Sequence, residues 1–160
     1  MPPNCEIQSF FDFIARPRRN GYFNILNDLK NRFPKPKVFS FVGDILDDGR
    51  TDRIFNDFRP QIVFHAAAYK HVPLMEENPD EAVKNNVFGT EVLARASLKY
   101  GVEKFIFVST DKAVKPSSVM GATKRVGEMI CQSLSGEASA KFISVRFGNA
   151  LNSRGSVIPI

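Results

Sequence analysis

The chain of 160 residues has few of the features that mark several protein classes. Its two cysteines, Cys5 and Cys131, do not have a metal-ligand spacing, so we expect no metal and two reduced, unpaired thiols. No apolar run is long enough to span a bilayer, and the amino-terminal residues lack the pattern of a signal peptide. There is no internal repeat and no low-complexity segment. These absences favour a cytoplasmic globular chain.

A glycine-rich turn is also missing. The first glycine is Gly21, and no Gly-x-Gly-x-x-Gly sequence occurs anywhere in the chain. A dinucleotide-binding fold normally opens with a strand, such a turn and a helix. The apolar residues 7–14 could form the second strand of such a fold, with Asp12 near its end. The arginines at 16–19 could then meet a 2′-phosphate.

The net charge is +5 and the isoelectric point is near 9.4. A basic chain suits an anionic partner, and a nucleotide sugar, a dinucleotide or nucleic acid would all qualify. However, the basic residues are spread singly among acidic ones, apart from Arg16, Arg18 and Arg19. A solvated surface is therefore favoured, and without a helix-turn-helix pattern or a basic stripe we expect no nucleic-acid partner.

The hydrophobic pattern alternates between strands and helices. It predicts helices at 22–32, 51–58, 80–100 and 120 to about 134, and strands at 37–42, 61–64, 104–108 and 141–145. Thr51 is a plausible cap, and Gly101 ends the long helix. The expected apolar positions are Val83, Val87, Ala94 and Leu98 in the third helix, and Ala122, Val126, Ile130 and Leu134 in the fourth. This order indicates an α/β fold with a Rossmann-like, doubly wound parallel sheet that is covered on both faces.

Polar residues follow the strand at 104–108. Ser109, Thr110, Asp111 and Lys112 come directly after it, and chemistry in open α/β sheets lies beyond the carboxyl ends of the strands. The next helix places Met120 and Lys124 on one face, four residues apart. This is the arrangement of the Tyr-x-x-x-Lys pair of short-chain dehydrogenases, with methionine in place of tyrosine. The simpler alternatives are a capping role for the aspartate and solvated lysines.

Four segments carry a specific resemblance: HAAAYKHVPLME at 65–76, NNVFGT at 85–90, STDKAVKPSSVMGATK at 109–124, and RFGN with SRGSV between 146 and 157. From about Gly43 to the last residue the chain resembles nucleoside-diphosphate-sugar 4,6-dehydratases of the extended short-chain dehydrogenase superfamily. The membrane-anchored UDP-N-acetylglucosamine 4,6-dehydratases of polysaccharide biosynthesis are the most similar type. The resemblance implies a partial dinucleotide-binding domain over 1–160, in which 1–21 match poorly. The first β-α unit, most of the substrate lobe and any membrane anchor would lie outside it, in a homo-oligomer.

The resemblance also implies roles for the residues after the third predicted strand. Lys112 corresponds to the base that removes the proton at carbon 5, and Asp111 to the acid at the 6-hydroxyl. We expect burial to raise the pKa of Asp111 and to lower that of Lys112. Ser109 or Thr110 would hydrogen-bond the 4-hydroxyl. Because the thioether of Met120 cannot accept a proton, Asp111, Thr110 or a water remain candidates for that step.

The remaining predicted contacts are with the cofactor, NADP or NAD, and with a nucleotide-sugar substrate. Lys124 would contact the nicotinamide ribose. The predicted cofactor contacts are Asp44, Ile45, Ala66, Ala67, Ala68, Lys70, Asn86 and Ser109. The predicted substrate contacts are Lys70, Asn149, Arg154 and Ser156. An arginine fork suits phosphate, whereas the alternative for these loop residues is ordinary surface polarity without a ligand.

The leading functional interpretation is NADP-dependent dehydration of UDP-N-acetylglucosamine to its 4-keto-6-deoxy product. Met120 marks the type that retains configuration at carbon 5. A nucleotide-sugar 4-epimerase is the alternative enzyme, although tyrosine at position 120 would favour it. A different interpretation is a catalytically inactive fragment, which the missing glycine-rich turn supports. A DNA-binding module is a distant third.

Overall fold

The computed structural model describes residues 31–32, 39, 41–136 and 140–149. Its strands are β1 (Ile62–His65), β2 (Lys104–Thr110) and β3 (Lys141–Phe147). Its helices are α1 (Asp48–Phe58), α2 (Val72–Glu77), α3 (Pro79–Val83), α4 (Gly89–Lys99) and α5 (Val119–Leu134), with a π-helical turn at Lys84–Phe88 and a 3-10 turn at Asp111–Ala113.

The three strands form a parallel sheet in the order β1-β2-β3. His65 lies opposite Phe107, and Ser109 lies opposite Arg146. Strand β2 runs two residues further than predicted, so Ser109 and Thr110 belong to the strand itself. The α/β class and the parallel sheet are therefore confirmed.

Helices cover one face of the sheet. On that face Val63, Phe105 and Phe107 are buried against Phe55, Leu93, Cys131 and other apolar residues of α1, α4 and α5. On the opposite face Phe64 is 62% exposed, and Ile143, Val145 and Phe147 are exposed too. Among the described residues, the helices thus cover one face only, and the expected cover of the second face is not seen there. The strands follow one another in a single direction, and right-handed crossovers then place all connecting helices on the same side.

Helix α1 begins three residues before the predicted start. Asp47 is its cap, since the carboxylate Oδ1 accepts a hydrogen bond of 2.9 Å from the backbone N–H of Arg50. Thr51 instead lies inside the helix and is fully buried, so its predicted capping role is wrong. Both residues are good cap types. Asp47 directly precedes the first turn, so its carboxylate accepts from a backbone N–H group that has no partner within the helix.

The predicted strand at 37–42 is not seen at its described positions. Phe39, Phe41 and Val42 have no strand pairing there. The rings of Phe39 and Phe41 pack on Phe58 instead. Their centroids lie 5.1 and 5.0 Å, respectively, from the centroid of the Phe58 ring. The predicted helix at 22–32, apart from helical residues 31–32, lies outside the described residues, as do the predicted strand at 7–14 and the arginines at 16–19.

The long helix predicted between 80 and 100 is present but interrupted. Helices α3 and α4 are joined by the π-helical turn, whose wider spacing shifts the phase of the residues around it. Val83 is consequently exposed, although it was expected on the apolar face with Ala94, which is fully buried. Gly101, at φ 71°, follows the helix end as predicted.

Helix α5 begins at Val119, where the Ser118 hydroxyl accepts a hydrogen bond from the backbone N–H of Gly121 (3.1 Å). Met120 and Lys124 share its buried face, as predicted. Val126 is exposed, so the predicted four-residue series is buried only at its last member, Leu134. Within the described ranges, no helix combines the length and apolar character needed to span a membrane.

Candidate active site

A cavity of about 530 Å³ opens at the carboxyl ends of the three strands, where the sequence predicts chemistry. Its walls come from the loop after β1, the end of β2, the start of α5 and the end of β3. The predicted site residues that line it are Ala66, Ala68, Lys70, Ser109, Thr110, Lys112, Met120, Lys124 and Asn149. The fold therefore brings together residues from four separate segments of the sequence.

Thr110, Asp111 and Lys112 form a connected group at the end of β2. The hydroxyl of Thr110 donates to Asp111 Oδ1 (2.9 Å) and accepts from the backbone N–H of Lys112 (3.4 Å). The amine of Lys112 donates to Asp111 Oδ1 (3.1 Å) and to Asn149 Oδ1 (3.3 Å). The predicted acid and base are thus in direct contact.

The protonation of Asp111 differs from the expectation. Its carboxylate is exposed, and the hydrogen bonds from Lys112 and Thr110 lower its pKa below the ordinary value. Burial was expected to raise the pKa of Asp111, and that expectation is wrong for this state. The physical reason is that water and the lysine ammonium both favour the ionised carboxylate.

Helix α5 approaches the same turn closely at Gly121. A Cβ atom added there would lie 2.6 Å from the carbonyl oxygen of Lys112, which is far inside van der Waals contact. Only glycine allows the helix to begin this close to the turn. The backbone of Lys112 is therefore held between β2 and the first turn of α5.

Lys124 is a buried amine at the wall of the cavity. It is 4% exposed, and its Nζ lies 4.0 Å from the ring centroid of Phe107. Burial lowers the pKa of Lys124 to about 8. Met120, one turn earlier, packs in a small apolar cluster with Met75 and Ala82. Position 120, where short-chain dehydrogenases have a tyrosine, is therefore in an apolar environment. It lies one helical turn from the amine of Lys124, whose pKa is about 8.

Asn86 anchors the loop that follows β1. Its Oδ1 accepts from the backbone N–H of Tyr69 (2.8 Å), while its Nδ2 donates to the Tyr69 carbonyl (3.2 Å) and to Thr123 Oγ1 (3.1 Å). The side-chain amide thus joins the loop to α5. A direct contact with the cofactor stays a prediction.

The other predicted cofactor residues fall into two groups. Ala67 packs against the apolar core between the cavity-lining Ala66 and Ala68. Asp44 and Ile45 are not among the residues that line the cavity. Asp44 accepts from the backbone N–H of Leu46 (3.0 Å) in a turn, and the side chain of Ile45 is buried. The predicted substrate residues Arg154 and Ser156 lie outside the described residues.

An ionic cluster around the buried carboxylate of Glu128, next to the cavity, was not predicted. Glu128 Oε1 accepts from Ser109 Oγ (2.6 Å), and its two oxygens accept from Nε and Nη2 of Arg146 (2.7 and 2.6 Å). The guanidinium of Arg146 chiefly lowers the pKa of Glu128, to about 2. One signal in the sequence was available: Glu128 follows Lys124 by four residues, on the same helix face.

His65 contributes to the packing under the sheet. It is buried beside Phe107, its Nε2 lies 2.8 Å from Thr90 Oγ1, and burial lowers its pKa to about 3. The ring is therefore neutral at physiological pH. Within the part of the chain that the structure describes, no three His, Cys, Asp or Glu side chains are grouped to hold a metal ion.

Comparison with known proteins places these features in a family. The chain is 50% identical over 142 residues to EpsC, a probable polysaccharide biosynthesis protein of Bacillus subtilis, covering 88% of this chain and 24% of that protein. It is 37% identical over 135 residues to an inverting UDP-N-acetylglucosamine 4,6-dehydratase of Campylobacter jejuni, covering 82% and 40%. The UDP-glucose 4-epimerase of Thermus thermophilus, solved in complex with NAD, is 27% identical with a TM-score of 0.67, covering 76% and 50%.

The chain thus spans a quarter to less than half of the two curated relatives. The sequence model of one family, described as polysaccharide biosynthesis protein, matches residues 18–160. This match begins earlier than the resemblance read from the motifs, which started near Gly43. Because it covers most of the sequence, the chain belongs to the polysaccharide biosynthesis protein family.

Proposed function

We propose that this chain carries the catalytic groups of an NADP-dependent UDP-N-acetylglucosamine 4,6-dehydratase acting in bacterial polysaccharide or glycan biosynthesis. The observation that carries the proposal is the contact of Asp111 with Lys112, since Lys112 lines the cavity that also contains Lys124. A dehydratase needs a base and an acid at neighbouring carbons of the sugar, and these two side chains supply both. The relatives named for polysaccharide biosynthesis and for this dehydratase reaction support the same assignment.

The cavity suits a nicotinamide cofactor. Ala66 and Ala68 present only methyl groups to it, which permits a flat ring to approach the backbone, and Lys124 offers a buried amine nitrogen to a ribose hydroxyl. Such a cofactor, NADP or NAD, would take the hydride from carbon 4 and return it to carbon 6. The solved epimerase complex with NAD has a similar fold.

The ion pair of Lys112 and Asp111 suggests how both groups reach the protonation states that the elimination requires. Base catalysis requires a neutral amine, and acid catalysis requires a protonated carboxyl. Transfer of one proton along the 3.1 Å hydrogen bond from Nζ to Oδ1 converts the ion pair into that neutral pair. A bound sugar that excludes water would favour the neutral form, because desolvation penalises charge. Elimination then moves the carbon-5 proton to Lys112 and a proton from Asp111 to the departing hydroxyl, which restores the ion pair.

The sequence does not identify the group that accepts the 4-hydroxyl proton, because Met120 stands at the usual tyrosine position and cannot take a proton. Thr110 lines the cavity and can relay a proton only to a further acceptor. Lys124 joins the candidates, since an amine with a pKa of about 8 is partly neutral at physiological pH. We propose that Lys124 receives this proton, directly or through Thr110 or a water, because Asp111 must carry the proton taken from Lys112 for the elimination.

Replacement of Lys112 tests the proposal in the complete protein that the gene encodes. We expect Lys112→Met to slow exchange of the carbon-5 proton of UDP-N-acetylglucosamine with solvent deuterium by about 10²–10⁴-fold, the usual contribution of a general base. The first oxidation, followed by nicotinamide absorbance, should persist. Lys115→Met is the matched control, since Lys115 is exposed and does not line the cavity. Exchange at the parental rate in Lys112→Met would exclude this lysine as the base.

The product separates the dehydratase from its alternative. A dehydratase product is lighter than the substrate by one water, whereas a 4-epimerase gives a product of unchanged mass. We further propose retention of configuration at carbon 5, which the coupling constants of the product in NMR spectra report. A product of unchanged mass from the parent protein would favour the epimerase.

A further inference from the structure

We infer that Glu128 is a positioning residue that fixes the ends of β2 and β3 relative to α5, and thereby sets the contact between Lys112 and Asn149. This inference rests on the proposed function, since it concerns the same cavity. Glu128 is 6% exposed, yet it is a carboxylate on a helix. Its oxygens accept hydrogen bonds from Ser109, from two nitrogens of Arg146 and from Arg125 Nη1 (2.9 Å).

The chemistry of the cluster makes it a rigid junction. A buried carboxylate is costly unless it is paired, and here both oxygens are paired. The bonds from Nε and Nη2 of Arg146 form a two-point contact, which fixes the orientation of the guanidinium as well as its distance. Loss of the carboxylate would leave the hydroxyl of Ser109 buried without this acceptor.

The positions of the partners connect this junction to the active site. Ser109 lies two residues before the turn that carries Lys112, and Arg146 lies three residues before Asn149. The two partners lie opposite each other in adjacent strands. Beyond them, Lys112 Nζ donates to Asn149 Oδ1 (3.3 Å) across the cavity. One carboxylate therefore holds both sides of that contact.

Helix α5 supplies the third connection. Glu128 lies one helical turn after Lys124, so the same carboxylate relates the buried amine to both strand ends. A role limited to stability predicts that loss of Glu128 lowers the melting temperature and nothing else. A positioning role predicts a change at Lys112, which is not one of the hydrogen-bond partners of Glu128 but lies in the turn after β2, three residues beyond Ser109.

The first test uses Glu128→Gln in the complete protein, with selective ¹³C labelling of lysine. We expect the Cε signal of Lys112 to shift relative to the parent, while the signal of Lys99, which pairs with Asp52 on the surface, stays in place. Glu91→Gln removes an exposed ion pair with Arg95 on α4 and is the matched control, with no expected shift at Lys112. This measurement requires no turnover.

The second test measures the carbon-5 exchange rate and the Michaelis constant for UDP-N-acetylglucosamine in the same variants. We expect the exchange rate in Glu128→Gln to fall by about 10²-fold, as displaced catalytic groups do, with the Michaelis constant nearly unchanged. If Glu128→Gln does not fold, Arg146→Lys keeps the charge but loses the two-point contact, and it should show the same two effects at smaller size.

The outcomes separate the two proposals. An unshifted Lys112 signal together with a parental exchange rate, in a variant that melts at a lower temperature, would leave Glu128 a stabilising role only and overturn the inference. Failure of the parent protein to convert UDP-N-acetylglucosamine would overturn the proposed function. In that case the Lys112 signal alone still decides whether Glu128 positions the strand ends.

Discussion

The two faces of the three-stranded sheet differ sharply in what they contact. On the helix-covered face Phe107 is 0% exposed, between the ring of His65 and the amine of Lys124. On the open face Phe64 and Val145 are exposed although they are equally apolar. Neighbouring residues of the same strands thus differ in burial because α1, α4 and α5 pack on one side of the sheet.

An apolar residue in this sheet is therefore not necessarily a buried residue. The central residues of β2, Phe105 to Val108, are apolar on both sides, as expected for a strand of a doubly wound sheet. The local fold covers only one of those sides within the described residues. A large apolar surface without a covering layer tends to associate with other surfaces. The covered face, in contrast, combines apolar packing with buried charge.

The largest expected effect comes from truncating an aromatic residue on each face. Phe107→Ala should reduce the free energy of unfolding by about 3–5 kcal/mol, because it leaves a cavity in the core. Phe64→Ala should cost less than about 1 kcal/mol, since its side chain is mostly exposed. Urea unfolding of the two variants measures both values. Equal losses would show that the open face is covered in the protein in solution.

The next effect concerns the buried amine on the covered face. Burial holds the pKa of Lys124 near 8 against 10.5 in the unfolded chain, so the charged form opposes folding below pH 8. Lys124→Met should therefore raise the free energy of unfolding at pH 7 by on the order of 2–3 kcal/mol. The gain should shrink as pH rises from 8 towards 10.5, where the parent amine is neutral in both states. A gain that does not change between pH 7 and pH 10 would contradict the assignment.

A smaller effect on stability is expected from adding a methyl group at two helical glycines, one closely packed and one with space around it. A Cβ atom at Gly127 would lie 2.6 Å from the ring of Phe107, so Gly127→Ala should destabilise the fold by about 1–3 kcal/mol through overpacking. At Gly49 on α1 the nearest atom would be 3.7 Å away, and Gly49→Ala should be neutral or stabilising by up to about 1 kcal/mol. Thermal melts of both variants provide the measurement. Similar melting temperatures would argue against tight contact between α5 and β2.

The sequence predicts the sheet well because its signals are local. The apolar run at 104–108 and the polar residues after it identify β2 and the side of the sheet where the cavity lies. The pairing of Met120 with Lys124 on one face follows from helical spacing alone. The start of α1 was missed because Asp47 and Thr51 are both good caps, and only the three-dimensional path shows which one precedes the first turn.

The ionic cluster around Glu128 could not be predicted in the same way. A glutamate in a helix usually indicates a solvated face, and two of the three partners of Glu128, Arg146 and Ser109, lie 18 and 19 residues away along the chain. Their meeting depends on the register of β2 and β3, which fixes Ser109 opposite Arg146. Likewise, the lowered pKa of Asp111 depends on its exposure at the turn, which residue type alone does not determine.

The π-helical turn at Lys84–Phe88 has a consequence for how one helical segment serves two cores. Before the turn, Ala82 faces the small apolar cluster of Met75 and Met120; after it, Leu93 faces the main core. A regular helix advances about 100° per residue, and the wider turn resets that angle between the two halves. Asn86 lies within this turn, between the two halves of the helical segment. One helical segment can therefore place apolar residues against the cluster of Met75 and Met120 at its start and against the main core further on.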